Sequence, residues 1–180
     1  MPIKFRSLLA LALMSMGAQV ALAHGPTPQK VEEKIAISAP PAAVWKLIKD
    51  FGSIGDWHPF VASVKSEGGN ESGASRTLTL KSGGGDLVEG LDDYQDKDMS
   101  YSYRLSTENH EAFPASFYSD SIQVVAAGDG SEVVWSSRFY RADTTNEPPE
   151  DKSDAAAVKA TEDFIKAGLE GIKAKAEGKK

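Results

Sequence analysis

One stretch, residues 35–60 (IAISAPPAAVWKLIKDFGSIGDWHPF), most limits what this chain can fold into. A short strand stops at a double proline, and Pro41 suits the first turn of a helix, where its missing N–H costs nothing. Until Gly52 ends the run, apolar residues recur at helical spacing: Val44, Leu47, Ile48 and Phe51. Since only strand-like segments come next, the pattern predicts an α+β fold in which a helix lies against an antiparallel sheet.

The first 23 residues have the three parts of a secretory signal peptide in the right order. Lys4 and Arg6 form the basic region, residues 8–16 the apolar core, and Ala21-Leu22-Ala23 the small-residue cleavage site. The apolar run is too short to span a membrane, and no second run follows. We therefore expect an exported protein, cleaved after Ala23, with no membrane span.

Charge and cysteine content exclude several classes of partner and site. The chain carries 20 Lys and Arg against 26 Asp and Glu, and loss of Lys4 and Arg6 with the leader takes the net charge from −6 to −8. An acidic domain without a basic stripe argues against nucleic acid and anionic lipid, and allows a basic protein partner. The chain has no cysteine, which excludes thiol catalysis and cysteine-ligated zinc or iron–sulfur sites.

The rest of the chain reads as a single domain over residues 31–176, between a tether at 24–30 and a tail at 177–180. Alternating apolar residues and glycine-rich turns predict seven strands: 31–38, 60–66, 75–80, 86–94, 99–105, 117–125 and 132–140. Residues 150–176 have the apolar stripe and the end charges of a long helix.

This order of elements, with the local run Ile37-Ser38-Ala39-Pro40-Pro41-Ala42-Ala43-Val44-Trp45 and then Phe51 and Trp57, resembles the START/Bet v 1-like superfamily. That group includes polyketide cyclases and lipid-transport proteins, and the resemblance covers essentially all of residues 31–176. It implies a helix-grip fold, in which a curved antiparallel sheet of about seven strands wraps around the long C-terminal helix. An apolar cavity between sheet and helix is also implied.

Within that superfamily, four shorter segments look like those of the MxaD-type periplasmic proteins, which accompany methanol dehydrogenase in methylotrophic bacteria. The segments are HGPT at 24–27, GDGSEVVW at 128–135, RFYR at 138–141 and NEPP at 146–149. The resemblance implies a periplasmic protein without catalysis or cofactor. Its partners would be methanol dehydrogenase and the cytochrome c that takes its electrons.

Two histidines are candidates for catalysis or metal binding. His58 could act as a base oriented by Asp56, but no motif places a nucleophile beside it, so a turn or capping role is the simpler interpretation. His24 would become the first residue after cleavage and could bind copper through its imidazole and amine. Such a site needs a second histidine, and no ligand-spaced cluster exists, so the sequence predicts no metal site.

Aromatic side chains are the best candidates for a ligand pocket, because they alternate onto the inner faces of two strands and onto the long helix. The predicted cavity residues are Trp57, His58, Phe60, Tyr101, Tyr103, Phe113, Trp135, Phe139 and Phe164. The alternative is that they fill the core. The loop residues Trp57, Phe60 and Phe113 would lie near the opening or form an exposed contact patch for a partner protein, unless Trp57 and Phe113 only close a lid. Three functions follow: a methanol dehydrogenase accessory protein, a carrier of a small hydrophobic ligand, or a cyclase-like enzyme using His58 or a pocket tyrosine such as Tyr103.

Overall fold

The computed structural model describes residues 25–178. The predicted leader and the possible copper ligand His24 lie outside the described residues, as do the last two lysines. The elements in chain order are β1 (Gln29–Ile37), α1 (Pro41–Ile48), a 3₁₀ turn (Phe51–Ser53), α2 (Ile54–Trp57), β2 (Val61–Glu67), β3 (Ser75–Leu80), β4 (Asp86–Gln95), β5 (Ser100–Thr107), β6 (Ala115–Ala127), β7 (Gly130–Arg141), a second 3₁₀ turn (Glu150–Lys152) and α3 (Asp154–Ala176).

The strands form one seven-stranded sheet in the order β1-β7-β6-β5-β4-β3-β2, with every neighbouring pair antiparallel. The prediction of an α+β helix-grip fold is confirmed, because a curved antiparallel sheet packs against the long C-terminal helix. The first strand pairs with the last along its whole length, from Gln29 opposite Phe139 to Ile37 opposite Ser131.

Helix ends differ from the sequence prediction by a few residues for local reasons. Helix α1 ends at Ile48, because the Asp50 carboxylate accepts the Gly52 N–H and starts a separate 3₁₀ turn. Helix α3 begins at Asp154 rather than at residue 150, because the Ser153 hydroxyl caps it by accepting the Ala156 N–H.

Two glycines let helix α3 pack closely against its neighbours. A Cβ atom at Gly171 would lie 1.9 Å from the Trp57 carbonyl oxygen, and one at Gly168 would lie 2.6 Å from the Trp135 ring. The absence of side chains there lets the helix backbone rest on α2 and on β7. The apolar stripe of α3 by itself gives no indication of this close packing.

A β-bulge interrupts β6. The pairing with β7 steps from Ser116 opposite Tyr140 to Ser119 opposite Arg138, so β6 has one residue more than its partner. Phe117 has the left-handed φ of 50° and a side chain that is 66% exposed, while Ser116 and Tyr118 on either side are buried. The bulge therefore turns Tyr118 toward the interior and Phe117 toward solvent.

Candidate functional site

The interior between the sheet and α3 contains a small cavity, which we call the inner cavity. Its walls include Glu89, Asp120, Ser137 and Thr161 together with the rings of Phe113 and Phe164. The volume open to the centre of a water-sized sphere is about 20 Å³, which is room for about one water molecule. The cavity that the sequence suggested is thus nearly filled by the protein's own side chains.

A larger, open recess, which we call the outer cleft, lies on the other side of the same two phenylalanines. Its walls include Pro59, Phe60, Leu80, Ala112, Phe113 and Phe164, and the corresponding volume is about 340 Å³. The Phe113 and Phe164 rings meet edge to face with centroids 5.8 Å apart. Because both rings belong to both walls, this pair separates the inner cavity from the outer cleft.

Asp120 on β6 gives the inner cavity an acidic wall. Its Oδ2 atom accepts hydrogen bonds from the Trp135 indole N–H (2.9 Å) and from the Tyr103 hydroxyl (3.0 Å). Burial raises the pKa of Asp120 to about 6, although the Ser137 hydroxyl and the Trp135 N–H favour its charged form. Oδ1 has no hydrogen-bond partner among the described residues, and the same is true of the Thr161 hydroxyl on α3.

A second buried acid, Glu89 on β4, forms an ion pair with Arg76, which lies directly opposite on β3. Arg76 Nε donates to Glu89 Oε2 at 2.5 Å, and the Tyr118 hydroxyl donates to Oε1 at 2.6 Å. The guanidinium also donates to the Phe51 carbonyl and lies 4.2 Å from the centre of the Phe51 ring. The ion pair is fully enclosed, and only Glu89 lines the inner cavity.

Sequence reasoning missed Arg76 and Glu89, although the strands carry a signal for both. Arg76 alternates with Leu78 and Leu80 on β3, and Glu89 alternates with Leu87 and Leu91 on β4, so each charge occupies an inward position. A charged residue in the apolar register of two strands that pair is a recognisable sign of a buried ion pair.

His58 is a structural histidine in this arrangement. Its Nε2–H donates to the Phe164 carbonyl at 3.0 Å, and its Nδ1 accepts the Phe60 N–H at 3.1 Å. Burial lowers the pKa of His58 to about 3, so the ring is neutral at neutral pH. With both ring nitrogens engaged, His58 joins α3 to the turn before β2, as the capping interpretation expects.

The other predicted cavity residues divide between walls and core. Phe60, Phe113 and Phe164 line the outer cleft. The structure places the rest in the packed core: Trp57, His58, Tyr101, Tyr103, Trp135 and Phe139. Trp57 in particular is buried against Trp135 at 6.0 Å rather than exposed at the opening, because α3 closes over it at Gly171.

Comparison with protein families gives a match over residues 28–177 to the family described as polyketide cyclase / dehydrase and lipid transport. The chain belongs to this family. Its description covers both catalysis and ligand transport, so membership in the polyketide cyclase / dehydrase and lipid transport family specifies a fold and does not specify a reaction.

Solved structures with the same fold include proteins that are named as enzymes. Protein XoxI from Bacillus cereus is 26% identical with a TM-score of 0.68, and the match covers 82% of this chain and 95% of that one. The Zhui aromatase/cyclase from Streptomyces sp. R1128 is 15% identical with a TM-score of 0.71, covering 84% and 94%. A norcoclaurine synthase from Thalictrum flavum is 14% identical with a TM-score of 0.61, covering 85% and 96%. Comparison with curated protein sequences gives no significant match.

Two further properties concern only residues 25–178. Within this range no group of three or more histidine, aspartate or glutamate side chains is arranged to hold a metal ion. No helix there is both long and apolar enough to cross a membrane.

Proposed function

We propose that this member of the polyketide cyclase / dehydrase and lipid transport family is a periplasmic accessory protein of methanol oxidation. It binds methanol dehydrogenase and aids its assembly or its electron transfer to cytochrome c, and it performs no catalysis of its own. The observation that carries this proposal is the filled interior: an inner cavity with room for about one water is too small to enclose a whole organic substrate. The choice of partner rests on the four MxaD-type segments.

The surface supports binding to another protein. Two large hydrophobic side chains are exposed among the described residues, Phe60 at 44% and Phe117 at 66%. Each is held in place by local structure, Phe60 by the hydrogen bond from its N–H to His58 and Phe117 by the bulge in β6. Exposed aromatic side chains on an acidic protein suit a partner surface that is basic and partly apolar.

Affinity purification tests this proposal. The mature, tagged protein is recovered from the periplasm of methanol-grown cells, and co-purifying proteins are identified by mass spectrometry at increasing salt. We expect methanol dehydrogenase at low and moderate salt and its loss at high salt, since charge attraction is screened. The variants Phe60→Ser and Phe117→Ser should recover less, whereas Gln123→Ala on the exposed side of β6 should not. Failure to enrich either the dehydrogenase or its cytochrome refutes the proposal.

A second candidate function, carriage of a small hydrophobic molecule, is favoured by the outer cleft and its apolar wall. Native mass spectrometry of protein purified from its own periplasm should then show added mass. Ala160→Trp, which fills the cleft from α3, should remove that mass, and Ala155→Trp at an exposed position of the same helix should leave it. Repeated absence of added mass in the unmodified protein excludes this function.

A further inference from the structure

We propose that the inner cavity binds a primary ammonium group, held by Asp120 and Thr161 behind the Phe113–Phe164 ring pair. The proposal rests on the second candidate function above, because it defines the chemical class of the carried ligand. That ligand is a small amine with an apolar substituent, whose ammonium group enters the inner cavity and whose substituent extends into the outer cleft.

Unsatisfied hydrogen-bond acceptors are the first line of evidence. Asp120 is 8% exposed and Thr161 4%, and both line the inner cavity. No hydrogen bond of normal geometry satisfies Asp120 Oδ1 or the Thr161 hydroxyl among residues 25–178, although the Ser137 hydroxyl lies near enough to Asp120 to favour its charged form, and unpaired buried polar atoms are costly. They come from opposite walls, β6 and α3, so one small group between them could satisfy both. A group with three N–H donors can do this and still reach the Glu89 carboxylate or Ser137 hydroxyl on the same wall.

The charge of the buried cluster is the second line of evidence. The inner cavity and its immediate support contain two carboxylates, Glu89 and Asp120, and one cation, Arg76, which is committed to Glu89. The neighbouring His58 is neutral because its pKa is about 3, so it does not balance Asp120. Above pH 6 the cluster therefore keeps one uncompensated negative charge away from water. A bound cation removes that imbalance, whereas a water molecule does not.

The Phe113–Phe164 ring pair indicates that the ligand has an apolar substituent in addition to its ammonium group. Phe113 lies on the loop between β5 and β6, and its ring faces both the inner cavity and the outer cleft. Rotation of that ring would join the two spaces, and ring faces attract an ammonium group as it passes. The apolar wall of the outer cleft, with Phe60 and Leu80, then suits an uncharged substituent.

The position of Trp135 allows a direct test by NMR. Its indole N–H donates to Asp120, whereas those of Trp45 and Trp57 donate to Asp96 and Ser53, away from the cavity. ¹⁵N-labelled protein at pH 8 is titrated with methylammonium and benzylammonium chloride, with methanol and benzyl alcohol as neutral counterparts and sodium chloride as the salt control. We expect a saturable shift of the Trp135 indole signal with the ammonium ions and unchanged signals from Trp45 and Trp57.

Variants identify the group that holds the ammonium ion. Asp120→Asn keeps an oxygen for the Trp135 and Tyr103 donors but turns an N–H₂ group toward the cavity, so the ammonium Kd should rise about tenfold or more. Thr161→Val should raise the Kd by a smaller factor, and Ser121→Ala, on the exposed side of β6, should not change it. Melting temperatures of all variants show whether they remain folded.

The outcomes separate this proposal from the carrier function. If neither ammonium ion shifts the Trp135 signal, or if Asp120→Asn binds them equally well, the cavity holds water only and the ammonium site is refuted. If benzyl alcohol binds as tightly as benzylammonium, the ammonium site is refuted while the carrier function stands. The carrier function itself fails only on the native mass spectrometry described above.

Discussion

Trp135 and Asp120 are joined by a buried hydrogen bond, with 2.9 Å between the indole Nε1 and the carboxylate Oδ2. This bond, with a second from Tyr103, fixes the acid that faces the inner cavity. We expect Asp120→Ala to lower the free energy of unfolding by about 2–4 kcal/mol, because two buried donors lose their acceptor. Asp120→Asn keeps an acceptor and should cost about 1 kcal/mol or less. Urea unfolding at pH 7 measures both, and equal losses would show that the bonds contribute little.

His58 should make the protein sensitive to acid. Its pKa is about 3 in the folded state and near 6.5 when unfolded, so the unfolded state binds a proton first as the pH falls. Its contribution to stability is complete above pH 6.5 and is lost between pH 6.5 and 3, by on the order of 5 kcal/mol. We therefore expect the stability of His58→Asn relative to the unmodified protein to increase as the pH falls. A difference that stays constant over this range would contradict the neutral, buried ring.

Asp120 should act in the opposite direction. Burial raises its pKa to about 6 from 3.8, so the folded state binds a proton first and gains stability as the pH falls from 6 to 4. The expected gain is on the order of 3 kcal/mol. Stability of Asp120→Asn relative to the unmodified protein should thus decrease over the range in which that of His58→Asn increases. Urea titrations at half-unit pH steps give both differences, and trends of the same sign would refute one assignment.

The buried pair of Arg76 and Glu89 should show strong coupling. Glu89→Gln leaves the Arg76 charge without its counter-ion and should cost about 3–5 kcal/mol. The double variant Arg76→Met with Glu89→Gln removes both charges and keeps an acceptor for Tyr118, so it should be more stable than either single variant. A double-mutant cycle measures the coupling, and simple additivity would contradict an enclosed ion pair.

Phe117 has a strained backbone conformation, and replacement by glycine would relieve the strain. Its φ of 50° is unfavourable for any residue with a Cβ, so Phe117→Gly should be more stable than Phe117→Ala by about 1 kcal/mol. Phe60 is the matched control, because its φ is not in that region and alanine should be the better replacement there. Thermal unfolding of the four variants tests this, and a Phe117 pair that ranks like the Phe60 pair would refute the strain.

Gly171 should tolerate no side chain. A methyl group there would meet the Trp57 carbonyl, which belongs to the backbone and cannot turn away, so Gly171→Ala should cost about 3 kcal/mol or more. The three atoms nearest to a methyl group at Gly168 belong to the side chains of Trp135 and His58, which can shift more readily than backbone, so Gly168→Ala should cost less than Gly171→Ala. Glu170→Ala, exposed on the same helix, should have almost no effect on the melting temperature. Equal effects of the two glycine variants would show that α3 can shift outward.

Much of the fold could be predicted from sequence because alternation and turn residues act locally. The third strand was predicted with its observed bounds, Ser75–Leu80, and every other strand and the long helix within a few residues. The bulge at Phe117 could not be foreseen, since phenylalanine is a poor residue for a left-handed conformation and gives no local signal.

The candidate site was less predictable than the fold. Alternation showed which aromatic residues face inward, but the size of the cavity depends on how closely α3 approaches the sheet. That distance is set by Gly168 and Gly171 against residues far away in the sequence, and periodicity carries no information about it. As a result, the sequence predicts Phe113, Phe164, Trp135 and Phe139 alike as cavity residues. In the structure Phe113 and Phe164 line the outer cleft, whereas Trp135 and Phe139 fill the core.

The pairing of β1 with β7 has a consequence for how the chain acquires its structure. The partner of β1 begins about a hundred residues later, at Gly130, and α3, which packs on β1, comes later still. A chain emerging N-terminus first from a ribosome or a translocation pore therefore cannot close its sheet until nearly all of it has emerged. An incomplete chain that cannot yet close its sheet remains able to pass through a pore. The long sequence separation between β1 and β7 makes the last step of folding slow. It also exposes β1 as an open edge in the meantime, and the charged side chains of Lys30, Glu32 and Lys34 on its outer face are suited to protect it from aggregation.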